Sequence, residues 1–199
     1  VVQEMMKTLS TTLPFTDVKN TDWCFSEVAR VYADGIMGGT SNTTFSPAGT
    51  LTRGQVVAML YRMAGSPAVT ANTTGFSDVD NGAYYADAVK WASGKEIVGG
   101  YADGTFAPNR AITREQLAAI LYRYAKANGA DISVGEDTNL LSYKDFQSVG
   151  QYAVPALQWA VGSGLIGGTT NATLSPKGTA TRAQAAVILV RFVGMTAAK

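Results

Sequence analysis

One short pattern recurs three times and narrows the possible folds of this chain more than any other feature. Thr-Arg-x-Gln, followed by an apolar helical pattern and a second Arg, occurs as LTRGQVVAMLYRMA from Leu51, ITREQLAAILYRYA from Ile112 and ATRAQAAVILVRFV from Ala180. The first arginines, Arg53, Arg114 and Arg182, lie 61 and 68 residues apart. Other landmarks keep step with them. FTDV at Phe15, FSDV at Phe76 and YKDF at Tyr143 open the copies, and IMGG, IVGG and LIGG end at Gly39, Gly100 and Gly168. TSNTTFSP, YADGTFAP and TTNATLSP follow, and each double glycine precedes its Arg by 14 residues. A unit of about 50 residues is marginal alone, so three tandem copies are expected to pool their apolar faces in one core.

Each copy reads as helix, Gly-rich loop, helix, which makes the chain all-α, with units at 13–66, 74–128 and 141–194 forming one body. In the second helices apolar residues fall at i, i+3, i+4 and i+7: Val56, Met59, Leu60 and Met63; Leu117, Ile120, Leu121 and Tyr124; Ala185, Ile188, Leu189 and Phe192. The first helices carry Tyr85, Ala88, Val89 and Ala92 in unit two and Ala153, Ala156, Leu157 and Ala160 in unit three. In unit one Phe25, Val28, Ala29 and Tyr32 fit better, which predicts a slightly rotated helix there. Trp91 and Trp159, in the middle of helices, are expected in the core.

Thr and Gln in the repeated pattern are explained by capping. A Thr N-cap accepts from the N3 amide while a Gln at N3 reaches back to the cap amide, and Thr52 with Gln55, Thr113 with Gln116 and Thr181 with Gln184 all fit this box. Capping does not explain Arg53, Arg114 and Arg182. A cation in the first helical turn opposes the macrodipole at a cost of about 0.3 to 1 kcal/mol. Arg62, Arg123 and Arg191, in the last turns, sit where the dipole favours them and need no further role. The opening aspartates Asp17, Asp78 and Asp145 read as caps of short turns.

The chain has no histidine and a single cysteine, Cys24, which removes the commonest general base, zinc sets and any internal disulfide. No cofactor or metal site is expected, and the enzyme class recedes. DVDNG from Asp78 does not make a calcium loop, because Val89 stands where the closing Glu belongs. The formal net charge is +1 with scattered basic residues, so no nucleic-acid partner is indicated, and the apolar runs are too short to insert in a membrane.

Taken together, the motifs resemble the S-layer homology domains of bacterial cell-surface proteins, whose unit has an FsDv-like opening, an aromatic-bearing helix, a glycine turn, an xxDGtFxP loop and an ITRAE-like helix start. YADGTFAPNRAITREQ from Tyr101 is the nearest copy. The resemblance implies a pseudo-threefold arrangement around a central bundle of the three second helices. It also implies non-covalent, extracellular attachment to the cell wall as part of a larger surface protein, by binding a secondary wall polysaccharide that often carries pyruvylated N-acetylmannosamine.

An anionic ligand would account for the arginines, since a helix start with free amides plus a guanidinium is an anion site. A lone Arg there would ordinarily be solvated or weakly paired; three at the same unfavourable position point to ligand contact. Glu115 could pair with Arg114, but Gly54 and Ala183 deny that option to the other two. The candidate ligand residues are Arg53, Arg114 and Arg182, then Asp103, the glycines Gly39, Gly100 and Gly168, and the aromatics Trp23, Tyr84 and Tyr152. The chain departs from the family pattern in two ways: Gln replaces the acidic residue of the helix start, and Asn42 and Asn171 replace the loop Asp. That second change leaves open a module that keeps the fold but binds proteins or forms a lattice instead.

Overall fold

The computed structural model describes residues 13–135 and 137–197. Six α-helices follow in order: α1 (Phe25–Ala33), α2 (Arg53–Met63), α3 (Ala86–Gly94), α4 (Arg114–Ala127), α5 (Val154–Gly162) and α6 (Arg182–Ala197). Short 3₁₀ turns at Leu140–Ser142, Phe146–Ser148 and Gln151–Ala153 lead into α5, where the third copy carries one extra residue. Among the described residues no helix is long and apolar enough to cross a membrane.

All three capping boxes form. The Gln55, Gln116 and Gln184 amides donate to Thr52, Thr113 and Thr181 Oγ1 at 3.3, 3.3 and 3.2 Å, and the glutamine side-chain oxygens accept from the three cap amides. Just before the caps, a ring of backbone bonds joins the units cyclically. Ile112 N donates to Leu51 O at 2.8 Å, Ala180 N to Ile112 O at 3.3 Å and Leu51 N to Ala180 O at 3.2 Å. The three residues are fully buried, so these amides have no access to water and the ring satisfies them.

The helix pairs in closest contact are α2 with α3, α4 with α5, and α6 with α1, so each second helix lies against the first helix of the next unit. The second helices contribute Leu60, Leu121 and Leu189 to one shared core, and Tyr124 of α4 meets Phe192 of α6 with ring centroids 5.7 Å apart. Trp91 and Trp159 are buried and pack on Tyr61 and Tyr122 across the first two seams. In the third seam Arg30 and Val190 hold the matching positions, and Arg30 pairs with Asp34.

The expected rotation of the first helix is not seen. Val28 and Val31 of α1 are buried at the positions of Val89 and Ala92 in α3 and Leu157 and Ala160 in α5. The apolar pattern looked shifted because Glu27 stands where Ala88 and Ala156 lie, while Ala29 and Tyr32 add apolar residues on the next face, and Tyr32 is 37% exposed.

Candidate functional site

The arginine at each second-helix start reaches into the loop of the next unit. Arg53 Nε donates to Phe106 O at 2.9 Å and Nη2 to Gly99 O at 3.0 Å. Arg114 reaches Leu174 O and Gly167 O at 2.9 and 2.6 Å, and Arg182 closes the cycle on Phe45 O and Gly38 O at 2.7 and 2.6 Å. All three are buried, and burial pushes each guanidinium pKa down from its ordinary value.

Expecting free amides at these helix starts needs correction. Arg53 N and Gly54 N donate to Arg110 O and Pro108 O, Arg114 N and Glu115 N to Gly178 O and Pro176 O, and Arg182 N and Ala183 N to Gly49 O and Pro47 O. The neighbouring loop's carbonyls therefore occupy the place an anion would take. They also account for the arginine position, since a guanidinium facing several carbonyls offsets the dipole cost.

Each receiving loop is held from its other side by an opening aspartate. Asp17 accepts from Phe45 N and Ser46 N at 2.8 and 2.7 Å, Asp78 from Phe106 N and Ala107 N at 2.7 Å each, and Asp145 from Leu174 N and Ser175 N at 2.9 and 2.7 Å. Ser46, Ala107 and Ser175 have φ of 58°, 55° and 52°, a left-handed conformation that costs side-chain-bearing residues energy and is pinned here by the carboxylate. Burial raises the carboxyls of Asp17 and Asp145, but the loop amides and the Arg182 or Arg114 charge outweigh it, leaving both below the ordinary value. These aspartates clamp a distant loop rather than capping a local turn.

Three grooves open beside these contacts, one along each second helix, and each draws on all three units. The α4 groove is lined by Arg53 of unit one, Gly100, Gln116 and Arg123 of unit two, and Tyr152 of unit three. The α6 groove has Arg114, then Gly168, Gln184 and Arg191, then Trp23. The α2 groove has Arg182, then Gly39, Gln55 and Arg62, then Tyr84. Their volumes are about 220, 450 and 360 Å³ respectively.

Nine of the sequence candidates thus come together, three to a groove, and one does not. Asp103 is exposed and turned onto its own loop, where Oδ1 accepts from Thr105 N and Oγ1 at 3.0 and 2.6 Å, and it lines none of the grooves. The glycines are packed rather than open: a Cβ on Gly100 would lie 2.5 Å from Phe76 Cε1, and one on Gly39 2.5 Å from Phe15 Cε1. Trp23, Tyr84 and Tyr152 stand at the groove edges, 67%, 65% and 51% exposed.

Sequence reasoning missed the second arginines and the capping glutamines as groove residues. Gln55 and Arg62, Gln116 and Arg123, and Gln184 and Arg191 are each seven apart, two turns along one helix face, and that spacing was the available signal. The box fixes each glutamine oxygen on the cap amide and leaves the Nε2 donor; in the α4 groove it faces Tyr101 OH at 3.4 Å. Each groove therefore presents a buried guanidinium edge, an exposed guanidinium, an amide donor and an aromatic lip.

The S-layer homology domain family matches the chain three times, at residues 14–57, 75–118 and 142–186. The chain belongs to the S-layer homology domain family. It is similar to an endoglucanase of Bacillus sp. (strain KSM-635), with 37% identity over 90% of this chain and 19% of that protein. It is also similar to a cellulosome-anchoring protein of Acetivibrio thermocellus, with 25% identity over 89% of the chain and 40% of the relative. A third relative is a surface-layer 125 kDa protein of Lysinibacillus sphaericus, with 27% identity over 80% of the chain and 13% of that protein. The chain thus spans well under half the length of these relatives, and the S-layer homology units are the part they share with it. Family membership makes it a cell-surface anchoring module.

Proposed function

We propose that the three S-layer homology units, acting as one body over 13–66, 74–128 and 141–194, bind an anionic secondary cell-wall polysaccharide in the grooves between units. Reversible binding, not catalysis, holds a larger surface protein on the bacterial wall. The observation that carries this reading is the recurrence of the same set in three grooves: a buried Arg, an exposed Arg, a capping Gln and an exposed aromatic from three different units. Two guanidiniums suit a carboxylate such as that of a pyruvate ketal, and an exposed ring suits the apolar face of a sugar. The relatives named as endoglucanase, cellulosome-anchoring and surface-layer proteins support an anchor shared by otherwise different chains. If one polymer engages two grooves, avidity exceeds single-site affinity by about 10² to 10⁴ where the spacing permits.

The substitution of Asn42 and Asn171 for the loop Asp, which favoured a lattice-forming module, carries little weight once Asp103 is seen to serve its own loop. Co-sedimentation with purified bacterial wall, before and after chemical removal of its secondary polysaccharide, tests the proposal. Retention should vanish on stripped wall. Undiminished retention there would instead establish a protein or peptidoglycan partner.

A further inference from the structure

The three grooves share one plan but hold their aromatic lips in three ways. Tyr152 at the α4 groove donates its phenol proton to Glu115 Oε1 at 3.0 Å, and the same carboxylate accepts from Gly150 N at 2.9 Å and from Lys177 Nζ. Glu115 has a side chain only 3% exposed, while Gly54 and Ala183 occupy its position in the other units. At the α2 groove, Tyr84 instead stands edge-on against Tyr85, with centroids 4.9 Å apart, and its hydroxyl has no hydrogen-bond partner among the described residues. Trp23 at the α6 groove is the most exposed of the three.

A phenol has one proton and two acceptor lone pairs. Once Tyr152 has given its proton to a buried carboxylate, its oxygen can only accept from a ligand. Burial and the Glu115 bond both push the Tyr152 phenol well above its ordinary range, so the proton stays on it across physiological pH. Tyr84 keeps a proton to donate. The α4 groove is also the smallest, and the Tyr101 ring covers the Arg53 guanidinium at 5.1 Å, where the other units have Thr40 and Thr169.

We propose that Glu115 is a positioning residue that makes the α4 groove select a neutral sugar unit donating a hydrogen bond to Tyr152, while the α2 groove, whose lip can donate, selects the acid-bearing unit. The inference rests on the glycan reading above. It assigns the grooves to different units along one polymer, so the three sites are not interchangeable copies.

Two probes separate the possibilities: the methyl glycoside of N-acetylmannosamine, bare and with its 4,6-pyruvate ketal, each titrated into the full chain. Backbone amide resonances of Gly39, Gly100 and Gly168 report the α2, α4 and α6 grooves. In the native chain the ketal should be preferred at Gly39 and the bare glycoside at Gly100. Glu115→Gln should move the α4 preference toward the ketal by about tenfold, the scale of one charge-assisted hydrogen bond, and leave the α2 groove unmoved. Tyr152→Phe, which keeps the ring and needs no change at Glu115, should weaken the bare glycoside at Gly100 alone.

An α4 preference that is unchanged in both variants, with binding elsewhere intact, overturns the role of Glu115 and leaves the glycan reading standing. Equal changes at all three reporters show a merely structural role and also overturn it. If no reporter responds to either probe, the glycan reading itself fails and this inference falls with it.

Discussion

Arg182 in the last helix donates from Nε to the carbonyl of Phe45, 137 residues earlier, at 2.7 Å. This bond and its partner to Gly38 join the third unit to the first, closing the cycle that Arg53 and Arg114 carry through the other two junctions. Removing the guanidinium leaves the buried Phe45 carbonyl and the partly buried Gly38 carbonyl without this donor. Arg182→Met should cost about 3 to 6 kcal/mol in urea unfolding, two charge-assisted bonds at about 1.5 to 3 kcal/mol each. Arg182→Lys, with a single ammonium in place of the fork, should recover only part of that.

Asp17 and Asp145 hold their loops with two amides each, and both carboxyls lie below the ordinary value. A depressed carboxyl contributes stability that is fully present above its unfolded pKa, about 4, and is lost as the pH falls through the lower folded value. Thermal stability should therefore be flat from neutral pH down to about 5 and drop below about 4. Asp17→Asn with Asp145→Asn should lower Tm at neutral pH and blunt the acid-side drop, as read by calorimetry across that range.

The paired glycines offer a test of close packing within one turn. A Cβ on Gly100 would meet Phe76 Cε1 at 2.5 Å and Thr105 O at 2.7 Å, whereas one on Gly99 meets nothing within 4 Å. Gly100→Ala should destabilise by about 1 to 3 kcal/mol, and Gly99→Ala should lie within about 0.5 kcal/mol of the native chain. Equal effects at both positions in a denaturation series would contradict the packing described.

The exposed lips should separate binding from stability. Trp23→Ala and Tyr84→Ala remove rings that are 67% and 65% exposed, so Tm should hardly change. Retention on intact wall should fall for each and fall further for the pair. A loss of retention that follows Tm instead would assign these rings to folding.

Arg62, Arg123 and Arg191 are exposed along the grooves. Changing each to Gln should weaken wall binding and flatten its salt dependence, because solvent-exposed charges are screened within about 10 Å at 0.1 M salt. Binding measured from low to high salt on wall carrying its polysaccharide checks this directly.

What the sequence disclosed is what repeats locally. The Thr and Gln caps and the apolar stripes of the second helices are fixed by residues three to seven apart and form as read, whereas the rotated stripe expected in the first helix did not. Contacts between units were not legible, because nothing near Arg114 indicates that it serves Leu174 and Gly167 in the next loop. Glu115 looked like a partner for Arg114; it turned out to serve Lys177, Tyr152 and Gly150, all from the third unit. Asp17, Asp78 and Asp145 were legible as hydrogen-bond acceptors but not as clamps on amides 28 to 30 residues away. Among the ligand candidates, the groove residues that stood out were those the three copies repeat at matching places, whereas the Gln and second Arg seven apart on one helix face were passed over. Asp103 belonged to the family pattern and proved to stabilise a loop tip.

Because every groove takes its buried arginine from one unit, its floor from a second and its lip from a third, the number of units and the number of complete grooves do not scale together. Cutting the chain from three units to two leaves no complete groove, since each loses its arginine, its floor or its lip. The threefold unit is therefore the smallest indivisible quantum of this surface, and a change in valence requires whole triplets to be added or lost.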